Sequence, residues 1–169
     1  MRASTLSRIR RSTGGCLSEL EIVALRTSDA LRLAALLADG DSAYRRHFSG
    51  LSADPETLAS LLEQARKDRF WGMQDGTRLM ALAMVRGLDA GYRVPAFGVY
   101  VGQAYANKGL GTLALDHVIA WCRLNGHGEL MLSVHLDNTV ARSMYERRGF
   151  ASDGELSSKG HHVYRLSLA

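Results

Sequence analysis

A glycine-containing segment in the second half of the chain has the composition of an anion-binding loop. The β-branched run Val99-Tyr100-Val101 predicts a strand. A helical pattern begins shortly afterwards, and the residues that lead into it are Asn107, Lys108, Gly109, Leu110, Gly111 and Thr112. Glycines let a ligand approach the backbone closely, and a helix N-terminus offers unpaired N–H groups and a favourable dipole. The segment therefore predicts a binding site for a pyrophosphate.

Two common nucleotide-binding motifs do not fit this segment. Gly102–Lys108 approaches the G-x-x-x-x-G-K pattern of a P-loop, but Asn107 replaces the second glycine. Gly109 stands where a P-loop carries the Ser or Thr that holds magnesium. The sequence also contains no G-x-G-x-x-G dinucleotide fingerprint. We therefore set both nucleotide-binding interpretations aside.

A second strand and helix follow the glycine-containing segment. Leu130–Leu136 predicts a strand, and the helix that Asn138 begins and Gly149 ends contains Tyr145. Val94–Phe150 resembles the core of the GNAT superfamily of N-acetyltransferases in the order of its elements. That order is strand, glycine loop, helix, strand, Asn, helix with Tyr, and Gly-Phe. The resemblance implies acetyl-CoA as the co-substrate, an amine as the acceptor and no metal.

The resemblance also implies where the cofactor lies. In the family two parallel strands splay apart, and the pantetheine arm pairs with the backbone of the first, here 99–101. The pyrophosphate would rest on the N–H groups of 107–112, and Asn138 belongs to the same site. Gly98 predicts either a bulge or a close approach in the first strand. The family usually has Arg or Gln where this chain has Ala106, so we expect weakened cofactor affinity.

The proton donor follows from the same resemblance. In the family a tyrosine on the helix after the second parallel strand lies near the sulfur, and Tyr145 matches it by position. Its hydroxyl can donate to a developing thiolate of similar basicity, which makes it a general acid. The alternative is that Tyr145 is a core residue that packs against Phe150.

The general base has three candidate explanations. Many family members carry Glu on the second parallel strand, where this chain has Ser133. His135 is two residues further, so strand alternation predicts that it shares a face with Ser133, and an imidazole can take a proton from an ammonium. The alternatives are a surface or supporting role for His135 and a relay through ordered water. Five histidines show no metal-ligand spacing and are predicted on the surface: His47, His117, His127, His161 and His162.

The remaining patterns predict one mixed domain of the α/β class, α+β type. Strands are expected at 20–25, 69–74, 78–85, 94–101, 130–136, 150–155 and 163–168, and helices at 29–38, 54–65, 111–125 and 138–148. Asp75-Gly76 favours a hairpin between the second and third strands. We expect a GNAT fold: a mixed, mostly antiparallel twisted sheet flanked by helices, with the splayed parallel pair at its centre.

Composition narrows the class of protein further. The net charge is +4, and all of this excess positive charge comes from arginines that precede the first acidic residue, Glu19. The rest of the chain is formally neutral, so no nucleic-acid partner is expected. Residues 1–18 are interpreted as a flexible basic tail, with an organellar presequence or an early start codon as alternatives, and 19–169 as the catalytic domain. No apolar run approaches the ~20 residues of a membrane helix. Cys16 and Cys122 form no metal or disulfide motif, which favours a reducing, cytoplasmic setting.

The acceptor pocket must come from segments that the motifs do not fix. We expect it at 42–51, 87–93 and 155–162, with the following candidates: Tyr44, Arg45, Arg46, Tyr92 and Arg93. Their basic character favours an acidic or phosphorylated amine, such as a nucleotide-linked amino sugar, although solvent exposure explains each one singly. The predicted function is N-acetylation of a small primary amine. The alternatives are acetylation of a protein N-terminus or lysine, and a module that binds acyl-CoA without turnover; a homodimer is left open.

Overall fold

A computed structural model describes residues 19–169. They form one seven-stranded sheet with the order β1-β2-β3-β4-β5-β7-β6. The strands are β1 (Glu21–Ala24), β2 (Arg69–Asp75), β3 (Arg78–Arg86), β4 (Ala96–Val101), β5 (Glu129–Val134), β6 (Ala151–Leu156) and β7 (His162–Ser167). Every neighbouring pair is antiparallel except β4 and β5, which are parallel. This confirms the mixed, mostly antiparallel sheet.

Three of the described helices begin at a residue whose side chain caps them. The helices are α1 (Ala30–Ala38), α2 (Ser42–Arg45), α3 (Pro55–Gln64), α4 (Leu110–Leu124) and α5 (Thr139–Arg147). Asp54 caps α3 by accepting the Thr57 N–H at 2.8 Å, as its position before Pro55 predicts. The short helix α2 was not predicted; Asp41 caps it by accepting the Tyr44 N–H at 2.8 Å.

The sheet is covered on both faces. On one face α1 and α3 pack over Leu82 and Met84 of β3. On the other, α4 packs over Ala81, Ala83 and Val85 of the same strand. Because β3 is buried on both sides, its sequence is almost continuously apolar, and it holds the central strands in place.

Two local expectations need correction. β5 ends at Val134, where its pairing with β7 ends opposite His162, and does not extend to Leu136. His135 therefore lies in the turn before α5, and the alternation argument that placed it on a strand face is wrong. The bulge considered for Gly98 is also absent, since β3 and β4 pair there in unbroken register.

Several expectations concern absences. Between residues 19 and 169 no helix has both the length and the apolar character needed to cross a membrane. The same residues contain no group of three or more His, Cys, Asp or Glu side chains suited to a metal ion. The interpretation of residues 1–18, and with it Cys16, falls outside the described residues.

Candidate active site

A groove of about 990 Å³ opens where β4 and β5 separate. The two strands are in register only at Ala96 and Met131, and the Met131 N–H donates to the Pro95 carbonyl at 3.0 Å. Beyond that point the β5 side of β4 has no strand partner among the described residues. The groove is lined by β4, the start of α4, α5, the segment after α2 and the loop between β6 and β7.

The exposed edge of β4 includes the three residues predicted to pair with pantetheine. Val99 and Val101 pack toward α4, whereas Tyr100 is buried on the opposite face, where its hydroxyl donates to the Asp39 carbonyl. The Val101 carbonyl accepts a hydrogen bond from the Tyr44 hydroxyl at 2.9 Å. The remaining backbone groups of this edge fit the amides of an extended chain laid alongside, as in strand addition.

The start of α4 has the geometry of an anion cradle. Asn107 is the one described non-glycine residue with positive φ, at 59°, and Gly109, the N-cap, has a φ of 88°. The first helical hydrogen bond runs from the Leu113 N–H to the Gly109 carbonyl, at 3.0 Å. Among the described residues no acceptor is recorded for the N–H groups of 109–112. These donors converge on the groove at the positive end of a 15-residue helix, which fits a pyrophosphate.

Lys108 differs from its neighbours in this segment. Asn107, Gly109, Leu110, Gly111 and Thr112 all line the groove. The Lys108 ammonium instead donates to the Ala104 carbonyl at 3.1 Å and lies 5.7 Å from the Tyr105 ring centroid. Its side chain is therefore directed back over the preceding turn and outside the groove lining.

Asn138 and Tyr145 both come to the groove through α5. The Asn138 side chain caps that helix by accepting the Ala141 N–H at 3.2 Å. Tyr145 is buried, with its ring 6.2 Å from that of Phe97 and 5.9 Å from that of Phe150. Burial raises the pKa of Tyr145 well above its ordinary value, so its hydroxyl stays protonated at neutral pH. Tyr145 therefore both packs against Phe150, as one of the two predictions states, and lines the groove.

The loops predicted to form the acceptor pocket meet at the other end of the groove. The Lys159 ammonium, between β6 and β7, donates to the Ser49 carbonyl at 3.0 Å and lies 3.2 Å from its hydroxyl. This contact joins 42–51 to 155–162 across 110 residues of chain. Beneath it, Met84 fills the space over Gly98, where a Cβ atom would collide with its terminal methyl group. Gly98 is therefore a close-packing glycine.

The third predicted acceptor segment lies elsewhere. Tyr92 and Arg93, from the turn at 87–93, line a separate depression with Trp121 and His127. Of the other candidates, Tyr44 lines the groove, whereas Arg45 and Arg46 are exposed outside its lining.

Basic side chains dominate the charged part of the groove, and sequence reasoning missed most of them. The lining contains the cations Arg86, Arg147 and Lys159 and a single carboxylate, that of Asp137. Arg86 donates to the Gly50 carbonyl at 3.1 Å, while its buried Nε has no hydrogen bond and lies 4.0 Å from a carboxylate oxygen of Asp68. Its only sequence signal is its place at the end of β3, before a turn glycine.

Three of the five histidines predicted on the surface have more specific surroundings. His47 and His161 line the groove, and both rings contact that of His135, at centroid distances of 5.4 Å and 5.3 Å. His135 itself is outside the lining. His117, on α4, packs edge-on against Trp71 with its Nε2 buried and without a partner.

Solved structures with this architecture include proteins from bacteria and archaea. An N-acetyltransferase from Staphylococcus aureus Mu50 superposes with a TM-score of 0.73 at 15% identity, covering 90% of this chain and 100% of that chain. A ribosomal-protein-S5-alanine acetyltransferase from Vibrio fischeri gives 0.72 at 15% identity, with 88% and 92% covered. A PaiA N-acetyltransferase from Thermoplasma acidophilum, solved in complex with coenzyme A, gives 0.71 at 17% identity, with 88% and 99% covered. At these identities the likeness establishes the shared fold.

The sequence itself supplies the family. No curated protein sequence matches the chain significantly. The model of the acetyltransferase (GNAT) family matches residues 37–150, about two thirds of the chain, and includes both the glycine segment and Tyr145. Members of this family use acetyl-CoA. The chain therefore belongs to the GNAT acetyltransferase family and is an N-acetyltransferase.

Proposed function

We propose that this protein transfers the acetyl group of acetyl-CoA to the primary amine of a small acceptor that carries an acidic group, such as a phosphorylated or nucleotide-linked amino sugar. The observation that carries the proposal is the composition of the groove lining. A helix N-terminus, an unpaired strand edge, a protonated tyrosine and a basic pocket all border one cavity.

The cofactor end of the groove provides mostly backbone donors. The N–H groups of 109–112 bind the pyrophosphate, and the β4 edge at 99–101 pairs with the pantetheine amides. Asn138, at the N-terminus of α5, borders the same space. Lys108 and the small side chain of Ala106 leave the phosphates with few side-chain contacts, so we expect cofactor affinity to depend mainly on the backbone.

Tyr145 supplies the proton for the departing thiolate. The hydroxyl group is kept neutral by burial, so it is a donor throughout the physiological pH range. Protonating the sulfur as the carbon–sulfur bond breaks prevents a free thiolate from forming in a buried site. This step needs no metal ion.

The charges at the acceptor end select the class of amine. Three cations and one carboxylate in the lining disfavour a polyamine, whose ammonium groups would need several carboxylates. A phosphate or carboxylate on the acceptor would instead pair with the Arg86 guanidinium, whose side chain lines the groove and is 39% exposed. Arg86 is therefore the residue that we propose recognises the acidic group.

Calorimetry and a thiol-release assay test the proposal. We expect one CoA to bind per chain and CoA release with glucosamine 6-phosphate at a higher kcat/KM than with glucosamine, which lacks only the phosphate. Arg86→Gln should remove that preference without changing CoA affinity. Spermidine and an alanine-initiated peptide represent the other acceptor classes, and faster turnover of either would overturn the proposed acceptor. CoA binding with no release across the panel would instead indicate a non-catalytic binding module.

A further inference from the structure

Three histidines from distant parts of the chain lie in contact at the acceptor end of the groove. His47 follows α2, His135 follows β5 and His161 precedes β7. The His47 and His135 rings are 5.4 Å apart and tilted by 34°, and the His135 and His161 rings are 5.3 Å apart and nearly perpendicular. Since a neutral imidazole has one basic nitrogen, the hydrogen bonds of each ring decide which can accept a proton.

His47 has its basic nitrogen occupied. Arg46 Nε donates to His47 Nε2 at 3.2 Å, so the neutral ring carries its proton on Nδ1. The pKa of His47 is lowered by burial and by the cation of Arg46. Protonating Nε2 would require the guanidinium to leave, and His47 is therefore a poor proton acceptor.

The basic nitrogen of His135 is also engaged in a hydrogen bond, but with a backbone group. The Asp137 N–H donates to His135 Nδ1 at 3.2 Å, so the neutral ring carries its proton on Nε2. Its only lone pair is engaged with the backbone, and its ring stands outside the groove lining. The histidine that the sequence singled out as base thus has neither a free nitrogen nor direct access.

His161 combines access with an available nitrogen. It lines the groove, and among residues 19–169 no hydrogen bond is recorded to either of its ring nitrogens. Its backbone is fixed, because its N–H donates to the Ser157 hydroxyl at 3.2 Å and its carbonyl accepts the Ser157 N–H at 2.8 Å. The β5–β7 pairing ends with Val134 opposite His162, and the adjacent His161 ring contacts that of His135 at 5.3 Å, which sets it beside the end of β5.

We propose that His161 is the general base of the acetyl transfer, an inference that rests on the proposed function. Its free nitrogen takes one proton from the ammonium group of the acceptor, and the amine nitrogen then forms a bond to the acetyl carbonyl carbon. The carbon–sulfur bond breaks, and Tyr145 protonates the sulfur. The second proton lost by nitrogen restores the tyrosine, and His161 returns its own proton to solvent.

Several charged or titratable groups surround the cluster. They are His47, His135, Arg46, Asp137 and Lys159. Arg46 donates to His47, Lys159 donates to Ser49, and an Asp137 carboxylate oxygen lies 3.6 Å from His135 Nδ1. Arg46 contacts the His47 ring, and Asp137 contacts the His135 ring. Neither of these two histidines is proposed to touch the acceptor, so both are positioning residues.

The experiment compares His161→Gln with His162→Gln, which changes the adjacent histidine outside the groove lining, using glucosamine 6-phosphate as the probe. We expect kcat/KM for this amine to fall by about 10²- to 10⁴-fold near neutral pH in His161→Gln, the usual contribution of a general base. The loss should shrink as pH rises, because the solution then supplies the neutral amine. CoA affinity should stay the same in both variants, and His162→Gln should keep the wild-type profile.

The possible results separate this inference from the proposed function. Full activity of a folded His161→Gln protein, or an equal loss at every pH, would overturn the assignment of His161 as general base. Either result would leave the proposed acetyl transfer intact. A wild-type protein that binds CoA but acetylates no amine would overturn both. Imidazole ¹⁵N shifts give an independent readout: we expect the Nδ1–H tautomer for His47 and the Nε2–H tautomer for His135. A free Nε2 lone pair on His135 would transfer the assignment to that residue.

Discussion

The two ends of the groove are built in different ways. The cofactor end is made of backbone: a strand edge left unpaired by the splay of β4 and β5, and the N–H groups at the start of α4. The acceptor end is made of side chains that meet from distant segments, such as Lys159 on Ser49 and the three contacting histidines. Backbone geometry is set by local sequence, whereas side-chain contacts are set by tertiary packing. Substitutions at the two ends should therefore separate cofactor binding from acceptor selection.

After His161, the largest effect is expected at Tyr145, where the two ends meet. Tyr145→Phe keeps the ring between Phe97 and Phe150 and removes only the hydroxyl. Turnover measured by thiol release should fall by roughly ten- to a thousandfold while CoA affinity changes little. Because burial raises the pKa of Tyr145, the wild-type rate should show no alkaline decline from this group up to pH 10. Full activity in the Phe variant would make Tyr145 a packing residue.

At the cofactor end, Gly111 provides a test in which stability and binding change in opposite directions. A Cβ atom there would lie 3.5 Å from Met144 Sδ, an ordinary contact, and the helix should gain about 0.5–1 kcal/mol from Gly111→Ala. The same methyl group enters the space in front of the N–H cradle, so CoA affinity should fall by about tenfold, roughly 1.4 kcal/mol. Melting temperature and calorimetry on one variant measure both.

Gly109 is the matched control for this test. Its φ of 88° disfavours any side chain, so Gly109→Ala should lose stability even though its Cβ would meet no atom within 4 Å. A Gly111→Ala protein with unchanged CoA affinity would show that the pyrophosphate does not rest on this helix.

At the acceptor end, Gly98→Ala should act through Met84. The added methyl group collides with the Met84 side chain, which is itself held against Gly50. Overpacking of this kind costs about 1–3 kcal/mol of unfolding free energy. Displaced Met84 would also narrow the pocket, so KM for glucosamine 6-phosphate should rise more than the dissociation constant for CoA. Equal changes in both constants would indicate that Gly98 serves the cofactor instead.

The contrast between the ends also explains what the sequence could predict. The glycine segment and Asn138 as a helix cap are local patterns, the splayed strand pair is implied by the family resemblance, and the structure has the predicted elements in the predicted order. Arg86 had only its place before a turn glycine as a signal, and His161 had none for a catalytic role, because tertiary packing brings both to the groove. His135 was misplaced for a related reason: periodicity does not show that β5 stops at Val134, where its pairing with β7 ends.

Removing the contact between Lys159 and Ser49 should change acceptor binding less than Gly98→Ala does. Lys159→Met keeps the length of the side chain but removes the ammonium that bonds to the Ser49 carbonyl and hydroxyl. An exposed contact of this kind contributes about 1 kcal/mol or less, so KM for glucosamine 6-phosphate should rise by severalfold while CoA affinity stays constant. Ser49→Ala removes the hydroxyl but keeps the carbonyl, and it should change KM less than Lys159→Met.

The smallest effect expected is on the pH dependence of stability, and it too belongs to the acceptor end. Burial and Arg46 lower the pKa of His47 in the folded protein below its ordinary value of 6.5. The unfolded chain therefore takes up this proton at a higher pH than the folded protein does, and stability falls as pH drops from about 7 through 6.5 toward the folded pKa. Urea unfolding at pH 7.5 and 5.5 should show a smaller loss of unfolding free energy in His47→Gln than in the wild type. Arg46→Ala, which removes one cause of the lowered pKa, should give an intermediate loss. An identical pH dependence in all three proteins would mean that His47 titrates alike in the folded and unfolded states, and that Arg46 does not occupy its ring nitrogen in solution.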